Sequence, residues 1–267
     1  MSTATLERPT ESLVRASVPG KRALVVGASS GIGAALVKRL VAEGWQVAAV
    51  ARRAELLDAL SAECAKLPRA GGGGIVTAPH DVARAHEVPA LFERLVRELG
   101  GLDLVIYAAA VMPKVAKDEY DTEKDLEQLA VNVGGCIAWG NAAARLFQSQ
   151  RFGTLVGISS IAGERGRKGA PVYGTTKAAM NTYLEALRNR LSECGVHVCT
   201  IKPGFVDTDM TKGMGKLLWL ISADEAARLI LKAARARANE RFVPRQWWIV
   251  ATVIKNIPSF VFKKLNV

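Results

Sequence analysis

The chain has 267 residues, 49% of them apolar and 23% charged, with 24 glycines, which is enough for one large α/β domain with a sizeable core. Its four cysteines (Cys64, Cys136, Cys194, Cys199) form no CxxC pair and its three histidines (His80, His86, His197) form no ligand cluster, so a metal site and a disulfide framework are excluded from the reading and a reducing, cytoplasmic compartment is the default. A net charge of +11 raises nucleic acid or an anionic membrane surface as partners, but the basic residues are spread along the chain, and a binder of phosphorylated cofactors needs some of them; no nucleic-acid partner is expected.

Residues 1–20 carry charges of both signs and no apolar core segment, and read as a flexible leader, not a secretory signal. A β-rich run then ends at Gly27 and leads into a helix from Gly31 to Glu43. "WQVAAVA" is a second strand, followed by a helix from Ala54 to Leu67, a loop of four glycines (Gly71 to Gly74) and the strand "GIVTAPH". A helix over Val88 to Leu99 precedes "LDLVIYAAA", another over Asp121 to Phe147 precedes "GTLVGISS", and a helix running to Glu193 precedes "VHVCTIKPG". The last long helix starts at Ser222 with Glu225 three residues on as a capping box, and Arg241 to Pro244 reads as an edge strand. Continuous Val/Ile/Leu strands alternating with helices predict a mostly parallel, seven-stranded sheet covered on both faces, a single-domain doubly wound Rossmann fold over residues 21–245. Residues 246–267 form an apolar and basic tail. Its apolar run, broken by Lys255 and Pro258, falls short of the ~20 residues a bilayer span needs, which leaves packing on the domain, packing on a partner subunit, or peripheral membrane contact.

Three segments carry chemistry. "VVGASSGIGAAL" places Gly27, Gly31 and Gly33 between a strand and a helix, where backbone can approach a pyrophosphate closely and the helix N-terminus offers unpaired N–H groups; Ser29, Ser30 and Ile32 fill the same turn. The spacing is GxxxGxG, not the GxGxxG of the common dinucleotide fingerprint. "PVYGTTKAAM" places Tyr173 and Lys177 four residues apart, on one face of a helix. "ISSIAG" places Ser160 thirteen residues before Tyr173.

Together these segments resemble the classical short-chain dehydrogenase/reductase family over residues 21–210. The glycine turn is similar to its TGxxxGxG signature, with Val26 where the family has Thr. Tyr173 and Lys177 match YxxxK, Ser160 its catalytic serine, Asn132 in "AVNVGG" its active-site asparagine, and "KPGFVDTDM" its PG motif. The resemblance implies an NAD(P)-dependent oxidoreductase that transfers a hydride between nicotinamide and a carbonyl or secondary alcohol, commonly as a homodimer or homotetramer. It implies Tyr173 as acid/base, because a proton donor must reach the carbonyl oxygen, and Lys177 as the cation that lowers the phenol's pKa and contacts the nicotinamide ribose. Ser160 would hold the substrate oxygen and Asn132 would continue a water relay to Lys177. Pro203, Gly204, Val206 and Thr208 would line the nicotinamide side, Thr208 at the amide.

The second strand ends "AVARRAEL", with Ala51 at the position where an NAD-selective enzyme has a carboxylate, followed by Arg52 and Arg53, whose guanidinium groups suit a 2′-phosphate; NADP(H) is favoured over NAD(H). Some family members add a basic residue within the glycine turn, where this chain has Ser30. Asp81 and Val82 in "HDVA" resemble the family's adenine contact, with a simple turn cap as the alternative for Asp81. The family's NNAG segment appears as "YAAA", Tyr107 to Ala110, with Ala109 beside the cofactor ribose. "TDMTKGMGKLLWLIS" reads either as a lid over a lipophilic substrate or as ordinary helix or subunit packing. A non-catalytic, dinucleotide-sensing regulator is the alternative function, although such proteins typically lose the Tyr or the Lys.

Overall fold

The structure, a computed structural model, describes residues 20–68, 70–116 and 118–265. Of the expected leader only Gly20 falls among them. In chain order the elements are β1 (Arg22–Val26), α1 (Gly31–Ala42), β2 (Gln46–Ala51), α2 (Ala54–Ala65), β3 (Gly74–Pro79), α3 (Val88–Leu99), β4 (Leu104–Tyr107), α4 (Thr122–Leu129), α5 (Gly135–Gln150), β5 (Thr154–Ile158), α6 (Pro171–Leu191), β6 (His197–Pro203), β7 (Val206–Asp207), β8 (Ile221–Ser222), α7 (Ala223–Arg235), β9 (Glu240–Val243), α8 (Trp247–Asn256) and α9 (Ser259–Phe262).

Seven strands form one sheet in the order β3-β2-β1-β4-β5-β6-β9, every ladder parallel, and β7 pairs with β8 separately. Alternate residues of each strand serve opposite faces. Ala23 and Val25 of β1 belong to the core formed with Leu36 and Leu40 of α1, Leu57 of α2 and Ile230 of α7. Leu24 and Val26 belong to the core formed with Phe92 and Leu95 of α3, Trp139 and Phe147 of α5, and Leu184 of α6. This is the doubly wound Rossmann arrangement, and its strand order reverses between β1 and β4, where such sheets open a crevice at their carboxyl ends.

Two sequence expectations change. The single helix expected over Asp121 to Phe147 is interrupted by a π-helical turn at Ala130–Gly134. The buried Tyr107 hydroxyl donates to the Val131 carbonyl at 2.5 Å, and a Cβ on Gly135 would sit 2.3 Å from that hydroxyl, so the phenol occupies space the widened turn and the glycine leave open. The capping box at Ser222 is half-formed: Ser222 Oγ accepts from the Glu225 N–H at 3.1 Å, but the Glu225 carboxylate turns to Arg228 with two bonds of 2.7 Å. A bidentate charge-assisted pair outweighs the reach back to one backbone N–H.

The C-terminal segment folds onto the domain. Trp247 is buried, in edge contact with Phe205 at 5.5 Å and Trp219 at 5.4 Å between centroids. Arg165, just after the Ser160 turn, donates to the carbonyls of Ile254 (2.7 Å) and Ile257 and lies 4.0 Å over the Phe262 ring, while Lys255 pairs with Glu164 at 3.2 Å.

All four cysteines are free: Cys64, Cys136 and Cys199 are buried and Cys194 is partly exposed. Burial pushes the Cys136 and Cys199 thiols up to about 12. Near neutral pH a thiol reagent is therefore expected to modify Cys194 quickly and the other three only on unfolding; rapid reaction of more than one thiol in the native protein would contradict this packing.

Candidate active site

The crevice at the strand-order reversal is a cleft of about 600 Å³. One end is built from the glycine turn between β1 and α1. Gly27 has φ of +89°, and a Cβ on it would lie 2.4 Å from the Ala109 amide nitrogen; on Gly33 a Cβ would lie 2.0 Å from the Gly27 carbonyl oxygen. Only hydrogen fits at either place, so β1, the β4 turn and α1 close on one another and leave the space in front of the turn open. Ser30, the N-cap of α1, makes no side-chain capping bond, and the first turn holds no carboxylate. The first-turn amides have no intrahelical partner and face the cleft with the positive end of the helix dipole, which fits a pyrophosphate.

Beside this turn, β2 ends at Ala51 and delivers Arg52 and Arg53 to the cleft wall. Arg53 Nη2 donates to Ser29 Oγ and Ser30 Oγ, both at 3.0 Å. A guanidinium is thus held against the glycine turn, with Ser29 and Ser30 as its anchors. β2 itself ends without a carboxylate, and the Asp209 carboxylate on the same cleft wall, held below its usual range first by Lys212 and also by the Arg53 charge, is paired with Lys212, so the guanidinium groups offer a place for a phosphate.

The opposite end carries the expected chemical residues. Ser160 follows β5 with its Oγ accepting from the Ala162 N–H at 3.1 Å. Tyr173 and Lys177 come from the first two turns of α6, the Lys177 ammonium 5.6 Å from the centroid of the Tyr173 ring. The Lys177 Nζ donates to the Ile158 carbonyl at 3.0 Å. Burial lowers its pKa to about 8, so the ammonium persists at neutral pH with little to spare.

Burial also raises the Tyr173 pKa, opposed by a hydrogen bond with Ser160 and by the positive charge of Arg167. The sequence reading assigned the opposing charge to Lys177, whose ammonium lies 5.6 Å from the ring centroid while bonding the Ile158 carbonyl; the structure adds Arg167, in the loop between Ser160 and Tyr173, as a further positive charge acting on the phenol. Sequence reading missed Arg167, for which spacing gave no signal.

Asn132 sits in the π-helical turn, fully buried. Its Oδ1 accepts from the Val111 N–H at 2.8 Å, and its Nδ2 donates to the Val111 carbonyl and to Thr176 Oγ1, each at 3.0 Å. The Thr176 hydroxyl in turn donates to the Tyr173 carbonyl at 2.8 Å. The carboxamide therefore bonds to backbone and to Thr176, and it clamps the segment after β4 to α6.

Pro203, Gly204, Val206 and Thr208 line the cleft as expected. A Cβ on Gly31 would meet Thr208 Cγ2 at 3.0 Å, which puts the PG segment against the glycine turn. Ile32, Val82 and Ala109 also line the cleft. Asp81 lies between the cleft-lining His80 and Val82, and its Oδ1 accepts from the Ala83 N–H at 3.0 Å, closing a local turn. Residues that sequence reading did not single out include Val111, Met112 and Pro113, which with Met210 add an apolar stretch to the lining, and Glu127, which adds a carboxylate. Their signal was present only as proximity to "YAAA" and to the PG motif.

Residues 21–217 match the model of a family described as short chain dehydrogenase. An oxidoreductase of Myxococcus xanthus is 32% identical over 243 residues, 91% of this chain and 94% of that one. An oxidoreductase of Staphylococcus aureus is 33% identical over 191 residues, 72% of this chain and 80% of that one. Among solved structures, a short chain dehydrogenase from Burkholderia cenocepacia in complex with NADP superposes with a TM-score of 0.73 at 29% identity, covering 82% of this chain and 93% of its own. A short-chain type dehydrogenase/reductase from Mycobacterium marinum gives a TM-score of 0.75 at 25% identity, with 84% and 94% covered.

Proposed function

The chain belongs to the short chain dehydrogenase family and is an oxidoreductase, and from that premise we propose that it transfers a hydride between NADP(H) and the carbonyl or secondary-alcohol carbon of a lipophilic small molecule, with Tyr173 as acid/base. The observation that carries this reading is a single cleft that holds a phosphate-sized glycine turn with Arg53 at one end and Ser160, Tyr173 and Lys177 at the other. A nicotinamide held there supplies or accepts the hydride. What the chain itself contributes is position and a proton.

A phenol kept protonated by burial suits the reducing direction: Tyr173 donates its proton to the oxygen as negative charge develops on it. Ser160, which shares a hydrogen bond with Tyr173, donates to the same oxygen and holds it in line. The charge left on the phenolate is stabilised by Arg167 and by the Lys177 ammonium on the face of α6. The raised pKa sets a pH dependence. Reduction needs the protonated phenol, so kcat/KM is expected to hold through neutral pH and fall in alkali, and a pH profile that instead rises toward alkali would count against Tyr173 as the acid.

The 2′-phosphate reading rests on Arg52 and Arg53. Arg53→Ala is expected to weaken NADPH binding by about ten-fold or more, roughly 1.4 kcal/mol, and to leave NADH nearly unchanged; an equal loss for both nucleotides in a fluorescence titration would reduce Arg53 to a structural brace of Ser29 and Ser30. The lipophilic reading rests on the apolar wall of Val111, Met112, Pro113 and Met210. Assay of NADPH oxidation with a panel of aliphatic, polycyclic and aryl ketones beside hydrophilic keto acids tests the whole reading. Turnover confined to the apolar ketones is the expected result, whereas tight NADPH binding with no turnover in either direction would favour a dinucleotide sensor.

A further inference from the structure

The C-terminal arm turns one face to the domain and leaves the other bare. On α8, Trp247 and Ala251 are buried, while Trp248, Ile249 and Val253 are about half exposed; on α9, Phe260 is 67% exposed. Ridge positions 248, 249, 252 and 253 share the outward side of the helix, so these side chains form a stripe and are not scattered singly. The stripe continues into the loop over residues 212–220, where Leu218, Trp219 and Leu220 are exposed and Trp219 stacks edge-on against Trp247 at 5.4 Å. That loop follows directly on Met210 and Thr211, which line the cleft.

Charge distinguishes this face. Residues 245–267 contain four cations (Arg245, Lys255, Lys263, Lys264) and no carboxylate. Of the acidic groups near the arm and its adjoining loop, Glu164 pairs with Lys202 and Lys255, Glu240 with Lys202, and Asp209 with Lys212, toward which the exposed Asp207 also acts. Arg245, Lys263 and Lys264 are exposed and form no ion pair among the described residues. A tryptophan- and phenylalanine-bearing surface with a purely basic rim is complementary to the headgroup and upper acyl region of an anionic membrane. A second copy seated on the same face would set two carboxylate-free arms against each other.

We propose that the α8–α9 arm and the adjoining 212–220 loop are a docking surface for an anionic lipid bilayer, holding the mouth of the cleft at the membrane interface. The chain lies on the membrane and does not cross it: α8 is 10 residues, ~15 Å, against a hydrocarbon core of ~30 Å, and among the described residues no helix is long and apolar enough to span. The proposal goes beyond the hydride-transfer reading and stands or falls separately, because its readout needs no turnover. If both hold, substrate reaches the cleft from the lipid phase.

The test is flotation of the full chain with vesicles of phosphatidylcholine alone and of phosphatidylcholine mixed with phosphatidylglycerol. Binding to the mixed vesicles and not to the neutral ones is expected. Trp248→Ala combined with Val253→Ser should lower it roughly ten-fold or more, and Lys263→Glu with Lys264→Glu should lower it by about five-fold for each charge removed, with salt weakening the unaltered protein in the same way. Unchanged NADPH titration in each variant certifies that the fold and the cleft survive. Absence of flotation with mixed vesicles would overturn the proposal. So would an apolar-face variant that floats undiminished while its mass by light scattering drops from dimer to monomer, since that result assigns the face to a second copy.

Discussion

Tyr173→Phe is expected to lower kcat by about 10²–10⁴, the range that a positioned general acid contributes, while the NADPH titration stays within about two-fold of the unaltered protein. The substitution removes one oxygen from a ring that is already buried beside the Lys177 ammonium, 5.6 Å from its centroid, and keeps the ring in place. Little stability should change, because Ser160 Oγ retains its bond from the Ala162 N–H. The loss should appear in kcat and in kcat/KM alike, the pattern of an interaction made as charge develops on oxygen. A change confined to KM would mean that the phenol only lines the pocket.

Gly27→Ala is expected to remove nucleotide binding, raising Kd at least about 100-fold, a loss near 2.7 kcal/mol. Two costs coincide at this position. The backbone at φ +89° is one that a side chain strains, and the added carbon would lie 2.4 Å from the Ala109 nitrogen and 2.6 Å from its Cα, all backbone that cannot swing aside. Relief requires β1 and the β4 turn to separate, which misplaces the amides at the start of α1. Overpacking of this kind costs about 1–3 kcal/mol of stability in addition, so a thermal melt on the same sample separates loss of binding from loss of fold. Retention of near-normal affinity in a folded variant would show that the phosphate cradle lies elsewhere.

Which parts of this were legible in sequence follows from how local their causes are. The α3 boundaries, Val88–Leu99, were readable because Pro89 sits in its first turn and Gly100 ends it in the left-handed conformation, φ +69°. The strands were readable because both faces of the sheet are covered, leaving continuous Val, Ile and Leu runs. The glycine turn and the four-residue spacing of Tyr173 and Lys177 are likewise local. The π-helical turn was not, since it depends on Tyr107 meeting Val131, 24 residues away. The α8–α9 arm read only as an apolar tail because its docking rests on Arg165, 89 residues before Ile254. For the same reason periodicity could place Lys177 on the face of Tyr173 but could not reveal that its ammonium bonds the Ile158 carbonyl, or that Arg167 adds a positive charge beside the phenol.

The most direct measurement is a pair of fluorescence titrations of the purified chain, NADPH against NADH, because it interrogates the glycine turn and the arginines without any need for the substrate. The account predicts saturable binding of both, with NADPH tighter by about ten-fold or more, a difference of roughly 1.4 kcal/mol. Equal or tighter binding of NADH would contradict the assignment of Arg52 and Arg53 to a 2′-phosphate, and failure of either nucleotide to bind would contradict the account of the cleft itself.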